Sequence, residues 1–465
     1  MSARIATQVL LLVASASAAR PAAAQTYDLI FSGGRVVDGT GAPWFRADVG
    51  VVGDRITALG DLSKATAKRR IDAARLIIAP GFIDMMGQSE YNVLVDGRAA
   101  SKITQGITTE VTGEGTSIAP LNARMLEAGK TGYAYYGVTP NFTTLDGYFR
   151  EFARRGAAIN LATFVGAGSV RNFVIGTIDR PATPAELHAM ETAVAQAMEQ
   201  GAMGLSTSLI YVPDRFASTE ELIALARVAA RYGGSYISHM RNESDEIDTA
   251  LDELFRISRE AHLPAEVYHL KTSGRHNWGR MPAVLRRIDS ARAAGLDISA
   301  DQYPWTAWSN SLEADLPDWV NEGGREKMVE RLSDPAQRAR AREGLLDIVL
   351  KEFPDWKEGG SASILITSVL NPALKKYEGK TLADIAKAEG KDPLDVELDI
   401  LVADRGATSR VGFSMSEEDV RAALKNPLVS FSTDSPAMAQ DGILSKEMTH
   451  PRAWASATRI LGKYV

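Results

Sequence analysis

The chain has 465 residues, enough for one large or two ordinary domains, and its 45% hydrophobic and 24% charged residues are those of a soluble globular protein. A net charge of −6, with no basic stripe interleaved with aromatics, gives no sign of nucleic-acid binding. There are no cysteines, which excludes disulfides and leaves nitrogen and oxygen donors to hold any metal.

Residues 1–25 differ from everything after them. Arg4 is the only charge before Arg20, Ile5 to Ala19 is mostly apolar or small, and Ala22-Ala-Ala24 precedes Gln25 as a small-residue cleavage site would. The pattern predicts a secretory signal peptide, too short to span a membrane well. The expected mature protein is periplasmic or secreted, with no membrane attachment after cleavage. Tyr27–Val37 and Ala47–Leu59 alternate as short strands do, with turn signals at Gly33-Gly34, Asp38-Gly39 and Gly53-Asp54. They predict the N-terminal part of a small β-sandwich domain over residues 26–75.

Leu76–Ile83 is an apolar run that suits a buried strand, and after it strand and helix alternate. The further candidate strands are Ile107–Val111, Asn160–Val165, Ala202–Ser206, Ser235–His239, Ala265–Leu270, Leu296–Asp301 and Leu428–Asp434. Helical segments include Thr183–Gly201, Thr219–Tyr232, Asp245–Ala261 and Arg280–Ala294. Eight strands alternating with helices predict an α/β fold, a closed (β/α)8 barrel over residues 76–465, with its active site at the strand C-termini. The alternation breaks between about 305 and 415. This insertion carries charged helical stretches, Gly324–Phe353 and Thr381–Gly390, and reads as a lid or specificity subdomain or as a surface decoration. No long helical element follows the last strand before Val465, and the N-terminal strands lack partners to cover them. The expectation is a chain either unusually minimal or truncated, its small domain missing the C-terminal part and exposing an apolar face.

Two apolar runs each follow a helical segment and end in a histidine: Ile237-Ser-His239 and Val267-Tyr-His269. Either one alone reads as a core histidine bonded to backbone. Two at equivalent strand ends, each followed two residues later by a base (Arg241, Lys271), read as a metal or catalytic pair. Gly113-Glu114-Gly115 follows the second strand, Asp301 and Tyr303 close the seventh, and Asp434 ends the eighth. One Glu with two His gives the three-ligand set of a catalytic zinc, which acidifies a water to a pKa of about 7 and polarises a carbonyl. Asp434 is the candidate for the unliganded carboxylate that moves the proton, although Ser-Thr-Asp before Pro436 also reads as a helix cap. Glu114 between two glycines also reads as a solvated turn residue. His188 and His262 fall in helical stretches and read as surface or core. His276 sits in a polar loop that could line the mouth, and His450 reads as positioning Arg452.

At these residues the sequence resembles the N-acyl-D-amino-acid deacylases (D-aminoacylases) of the amidohydrolase superfamily. The resemblance runs from Tyr27 to Val465 through APGFID, SKITQGITTEVTGEG, GLSTSLIYVP, SHMRNES, HLKTSGRHNWG, ADQYPWTA and HPRAW. It implies a barrel with a small β-domain built from both chain ends, bound zinc, and amide hydrolysis that releases a D-amino acid. It carries the family's metal-binding histidines onto His239 and His269, its catalytic aspartate onto Asp434, and its binders of the substrate α-carboxylate onto Lys271, Tyr303 and Arg452. Three departures stand out. The family's His-x-His reads Met86 and Gln88, its metal-binding Gly-Asn-Cys-Gly reads Gly113-Glu-Gly-Thr116, and its Gly-His-Gly reads Gly166-Ala-Gly168. The first removes the weaker site of a metal pair, so one zinc per chain is expected. The second sets Gly115 at the cysteine and offers Glu114, one place earlier, as the anionic ligand.

The leading expectation is a zinc amidohydrolase acting on N-acyl-D-amino acids, with small-molecule substrates as its only implied partners. A dipeptidase acting on a C-terminal D-residue would use the same groups. A catalytically impaired carboxylate-binding homologue is the reading that Met86 and Gln88 motivate. Trp305 and Trp308 near Tyr303 read as an apolar substrate pocket or as packing.

Overall fold

The computed structural model describes residues 26–354, 356, 360–446 and 448–465, so the candidate signal peptide lies outside the described residues. The chain divides into two compact units between Gly81 and Phe82. No helix among the described residues is long and apolar enough to cross a membrane.

The first unit is one five-stranded sheet, as the N-terminal part of a small β-domain would supply. Its strands are β1 (Tyr27–Val36), β2 (Phe45–Val52), β3 (Arg55–Gly60), β4 (Ala67–Asp72) and β5 (Ile77–Ile78), in the order β3-β2-β1-β4 with β5 also on β1. β1, β2 and β3 pair antiparallel, whereas β4 and β5 run parallel to β1. Ile30, Val36 and Val49 are buried on it, while Trp44, Phe45, Ile56 and Leu59 are exposed. The predicted single buried strand over Leu76–Ile83 does not form. Pro80 lacks an N–H for a ladder, and the run is cut into β5 and β6 (Phe82–Asp84) on either side of it, with Leu76, Ile77 and Ile83 exposed.

The second unit is the barrel. After β6 come β7 (Ile107–Thr112), β8 (Asn160–Thr163), β9 (Val165–Gly166), β10 (Gly204–Ser208), β11 (Ser235–His239), β12 (Ala265–Val267) and β13 (Ile298–Gln302). An insertion then carries β14 (Trp308–Ser311), β15 (Ile364–Ser368) and β16 (Ser409–Gly412), and β17 (Val429–Phe431) completes the set. β6-β7-β8 form one parallel arc and β9-β10-β11-β12-β13-β17 another. Only Phe164 separates β8 from β9, so the arcs are continuous there. The ring closes through Met85 N–H to Phe431 O (3.2 Å), Asp434 N–H to Met86 O (2.8 Å) and a parallel bridge between Gly87 and Ser435.

Helices cover this ring in the expected alternation. Pro184–Glu199 starts at a capping box, where Thr183 and Glu186 satisfy each other's backbone N–H groups. Thr219–Arg231 starts at Ser218, whose side chain accepts from Glu221 N–H. Leu222, Leu225, Leu251 and Leu254 from the helices pack fully buried against Leu205, Tyr236 and Val267 of the strands. Burying each such leucine is worth about 1.5–3 kcal/mol.

The insertion has its own core. β14, β16 and β15 pair antiparallel in that order, and Trp308, Leu312, Leu345, Ile364 and Leu398 are buried together. The predicted helix over Gly324–Phe353 is two helices, Arg325–Ser333 and Pro335–Glu352. Asp334 breaks it: its carboxylate caps the second helix through Gln337 N–H at 2.8 Å, and Pro335 begins that helix.

Candidate metal centre

The site is assembled at the C-terminal ends of the barrel strands. In the β10–β11 register Ser208 lies opposite His239. His269 lies two residues past β12, with φ +35°. Its amide donates to Asp301 Oδ1 at 3.0 Å, so the β13 carboxylate holds this left-handed turn in place. Asp434 is likewise left-handed, at φ +48°. Its neighbours are clamped from below by the fully buried Lys102, which donates to Asp84 Oδ2 (2.8 Å), Thr433 Oγ1 (2.7 Å) and Ser435 O (2.7 Å). Such backbone costs on the order of 1–3 kcal/mol per residue and collects at functional sites.

Glu114 reaches the same point because of its two glycines. A β-carbon on Gly113 would lie 2.5 Å from Phe164 O, and one on Gly115 would lie 2.3 Å from Ser208 Cβ; both residues have positive φ. The backbone therefore threads a gap that admits no side chain, and the position aligned with the family's cysteine has no room for one.

Two carboxylates flank two imidazoles here. Glu114 Oε1 lies 2.8 Å from His239 Nδ1 and 3.4 Å from His269 Nε2. On the opposite ring edges, Glu243 Oε2 lies 3.4 Å from His239 Nε2 and Glu243 Oε1 lies 3.0 Å from His269 Nδ1. The rings are perpendicular, with centroids 4.4 Å apart. Lys271 Nζ lies 2.7 Å from both Glu243 Oε1 and His269 Nδ1. Ser208 Oγ donates to Glu114 Oε1 at 3.1 Å, and Gln88 Nε2 donates both to Glu114 Oε2 and to Asp434 Oδ1 at 3.0 Å. Arg452 Nη1 donates to Asp434 Oδ2 at 2.5 Å and its Nη2 to Ser309 O at 3.1 Å.

The electrostatics sort these acids. Burial opposes ionisation of Glu114, but hydrogen bonds from His239 and His269 hold it well below the usual carboxylate range. Burial and Lys271 would depress His269, yet Glu243 and Glu114 hold its imidazole up at about 10. Burial raises Asp434, against the pull of Arg452 and His269.

Glu114, His239 and His269 each offer a ligand atom, all within 4.8 Å of one another. His239 Nε2 is buried without a hydrogen-bond partner among the described residues. A mixed nitrogen–oxygen set with one carboxylate suits zinc, and the residues present fit that ion. The three face a cavity of about 670 Å³, shared with Gln88, Lys271 and Asp434 and walled by insertion residues such as Trp308, Asn310 and Ile348. Tyr303 and Arg452 lie behind Asp434 rather than on this wall. The Tyr303 hydroxyl faces Met415 Sδ at 3.6 Å, and its ring faces Arg452 at 4.9 Å and Lys271 Nζ at 5.9 Å.

The other histidines stand apart. His188 is exposed, His262 ends the helix Ile247–Ala261 with φ +56°, and His276 bonds Asp245 outside the cavity. His450 Nδ1 accepts from Arg452 N–H at 3.0 Å. Trp308 lines the cavity, whereas Trp305 packs on Arg459 and His450. Sequence reasoning missed Glu243, and its signal, a carboxylate four residues after His239 inside SHMRNES, was available.

A closed parallel barrel with two imidazoles and a carboxylate converging at its C-terminal rim defines a metal-dependent amidohydrolase. No family model matches the sequence. The chain is 34% identical over 442 residues to D-aminoacylase of Alcaligenes xylosoxydans xylosoxydans, covering 95% of this chain and 79% of that one. It is 34% identical over 441 residues to N-acyl-D-glutamate deacylase of the same organism, covering 94% and 78%. Among solved structures, N-acyl-D-glutamate deacylase of Bordetella bronchiseptica, complexed with zinc and a phosphonate inhibitor, superposes with a TM-score of 0.76 at 31% identity, covering 95% of this chain and 81% of that one. A D-aminoacylase structure gives 0.74 at 32% identity, covering 94% and 81%. The chain belongs to the D-aminoacylase family of N-acyl-D-amino-acid deacylases.

Proposed function

We propose that this chain hydrolyses the amide bond of N-acyl-D-amino acids to a carboxylate and a free D-amino acid, using one zinc held by Glu114, His239 and His269. The observation that carries the reading is the convergence of that donor set, Asp434 and Lys271 on one cavity. Zinc held there would polarise the acyl carbonyl and acidify a water. Asp434, raised by burial, is suited to take a proton and return it to the leaving amine. Lys271, on the cavity wall, binds the substrate α-carboxylate through a charge-assisted hydrogen bond. Arg452, off that wall in this structure, joins it by exchanging Asp434 for the substrate carboxylate, and Tyr303 supports both cations with its ring. Arg452 is bonded to Asp434 here, so a carboxylate that takes over Arg452 releases Asp434 for proton transfer.

A single metal is favoured by what replaces the family's His-x-His. Met86 is 1% exposed and packs with Val111, Phe164 and Ile237, and Gln88 bridges Glu114 and Asp434. A solved D-aminoacylase is described as binuclear, with one-metal activation and second-metal attenuation. Residues 1–25 support export, which N-terminal sequencing of the periplasmic protein would establish.

The test joins metal analysis to a screen of N-acetyl D- and L-amino acids and of dipeptides ending in a D-residue. The expected result is one zinc per chain with turnover of N-acetyl-D-amino acids. Absence of bound zinc, with no rescue by added zinc, would leave a carboxylate-binding protein instead. Glu114→Gln should lose both zinc and activity; unchanged zinc content would remove Glu114 from the ligand set.

A further inference from the structure

We infer that Glu243 is a positioning residue that sets both histidine ligands and Lys271 through one carboxylate. It rests on the zinc reading above.

The imidazole pair offers two edges, each with a carboxylate: Glu114 facing His239 Nδ1 and His269 Nε2, and Glu243 facing His239 Nε2 and His269 Nδ1. On the Glu114 edge the three ligand atoms lie within 4.8 Å of one another, and charge points the same way. The Lys271 ammonium is 2.7 Å from Glu243 Oε1 and from His269 Nδ1, so the Glu243 edge already holds a cation and repels a second. Among the described residues the Glu114 edge holds no ammonium and has the neutral donors Ser208 and Gln88. The metal therefore belongs with Glu114.

A metal on His239 Nδ1 and His269 Nε2 leaves each neutral ring its proton on the other nitrogen. For both rings the carboxylate nearest that nitrogen is Glu243, at ion-pair distances of 3.4 Å and 3.0 Å. His239 Nε2 makes no hydrogen bond among the described residues, and Lys271 Nζ, a donor only, shares His269 Nδ1. It is with zinc on the opposite edge that both rings would turn an N–H to Glu243. An imidazole ligand that donates its free N–H to a carboxylate is fixed in tautomer and orientation and is a stronger base toward the metal. One glutamate here serves two ligands, and the same Oε1 tethers the lysine that faces the substrate cavity. Its backbone is pinned as well, since Glu243 O accepts from Ser273 N–H at 2.7 Å. Ligand geometry and carboxylate recognition are thereby coupled.

Glu243→Gln keeps the shape but offers an NH2 group to one of the two N–H donors or to the ammonium. Glu243→Asp keeps the charge but shortens the reach. Zinc affinity of each folded variant is measured by competition with a chromophoric chelator, beside the visible spectrum of the cobalt-substituted protein. Both variants should bind one zinc about 10–100-fold more weakly, with an altered cobalt spectrum. KM for an N-acyl-D-amino acid should rise in both as Lys271 loosens. Glu114→Gln, by contrast, should bind no zinc. Zinc affinity within twofold of the parent in folded Glu243→Gln would overturn the inference. So would complete loss of zinc in Glu243→Gln with retention in Glu114→Gln, which would make Glu243 the ligand. If Glu243→Gln does not fold, Glu243→Asp carries the same comparison. A parent protein with no zinc affinity would instead refute the zinc reading itself.

Discussion

Replacing Gly115 by alanine probes the claim that the Glu114 turn is shaped by the absence of a side chain. Gly115 has φ +57°, and its added Cβ would lie 2.3 Å from Ser208 Cβ and 2.6 Å from Asp214 Oδ2. The left-handed backbone costs alanine about 1–2 kcal/mol. The overlap costs about 1–3 kcal/mol more, and the stiffer unfolded chain returns about 0.4–1 kcal/mol. The net loss is about 1–5 kcal/mol. At about 2.1 cal/mol/K per residue over the unit spanning Phe82–Val465, this lowers Tm by roughly 1–6 °C. Metal binding suffers as well, because Ser208 donates to Glu114 Oε1 and must move. Zinc affinity should fall at least tenfold, by about 1.4 kcal/mol. Gly132 is the control. It lies in the helix Ala123–Tyr136 with nothing within 4 Å of its added Cβ, so Gly132→Ala should leave zinc binding alone and raise Tm slightly. Calorimetry and chelator competition read both variants. A Gly115→Ala protein that melts at or above the parent and holds zinc equally well would refute the reasoning.

Asp434→Asn should retain zinc and lower kcat by about 10²–10⁴-fold, measured on an N-acetyl-D-amino acid; a loss of zinc instead would place Asp434 among the ligands. Glu397 is buried in the insertion with neither carboxylate oxygen hydrogen-bonded among the described residues, and burial, with Asp315 adding to it against Arg410, pushes it up to about 8. The folded chain therefore keeps a proton that the unfolded chain releases above about pH 4.5, and stability falls as pH rises from there to about 8. Glu397→Gln removes that fall. Its Tm advantage over the parent should grow between pH 5 and pH 8, reaching a few kcal/mol of stability, and a pH-independent difference in melting scans would show the reasoning wrong.

The parts of the fold that could be read in advance are those where periodicity and chemistry agree. Ser235–His239 forms the strand expected of it, and the helices at Thr219 and Met281 begin within a residue of their expected starts. His239, His269 and Glu114 were legible because imidazoles and a glycine-flanked carboxylate at strand ends are hard to explain by packing. The misreadings have local causes. Apolar composition alone could not reveal that Pro80 divides Leu76–Ile83, nor that Asp334 caps a new helix inside a charged stretch. Glu243 lies in the loop from Met240 to Glu246, which has no regular period, so its place four residues after His239 is the one cue that this polar residue turns inward. The pairing of Arg452 with Asp434 joins residues from a helix and a strand end, and the turn of Tyr303's hydroxyl toward Met415 is likewise set by the fold.

Gln88 puts a neutral amide between two acids, giving one hydrogen to Glu114 and the other to Asp434. A carboxamide does not titrate at any working pH, so it behaves as an insulator between them. Hydrogen bonds from the two histidines hold Glu114 well below the usual carboxylate range while burial raises Asp434, and the amide between them carries no proton from one to the other. Two side chains of almost the same chemistry are thereby biased in opposite directions, one toward its charged form and one toward its neutral form.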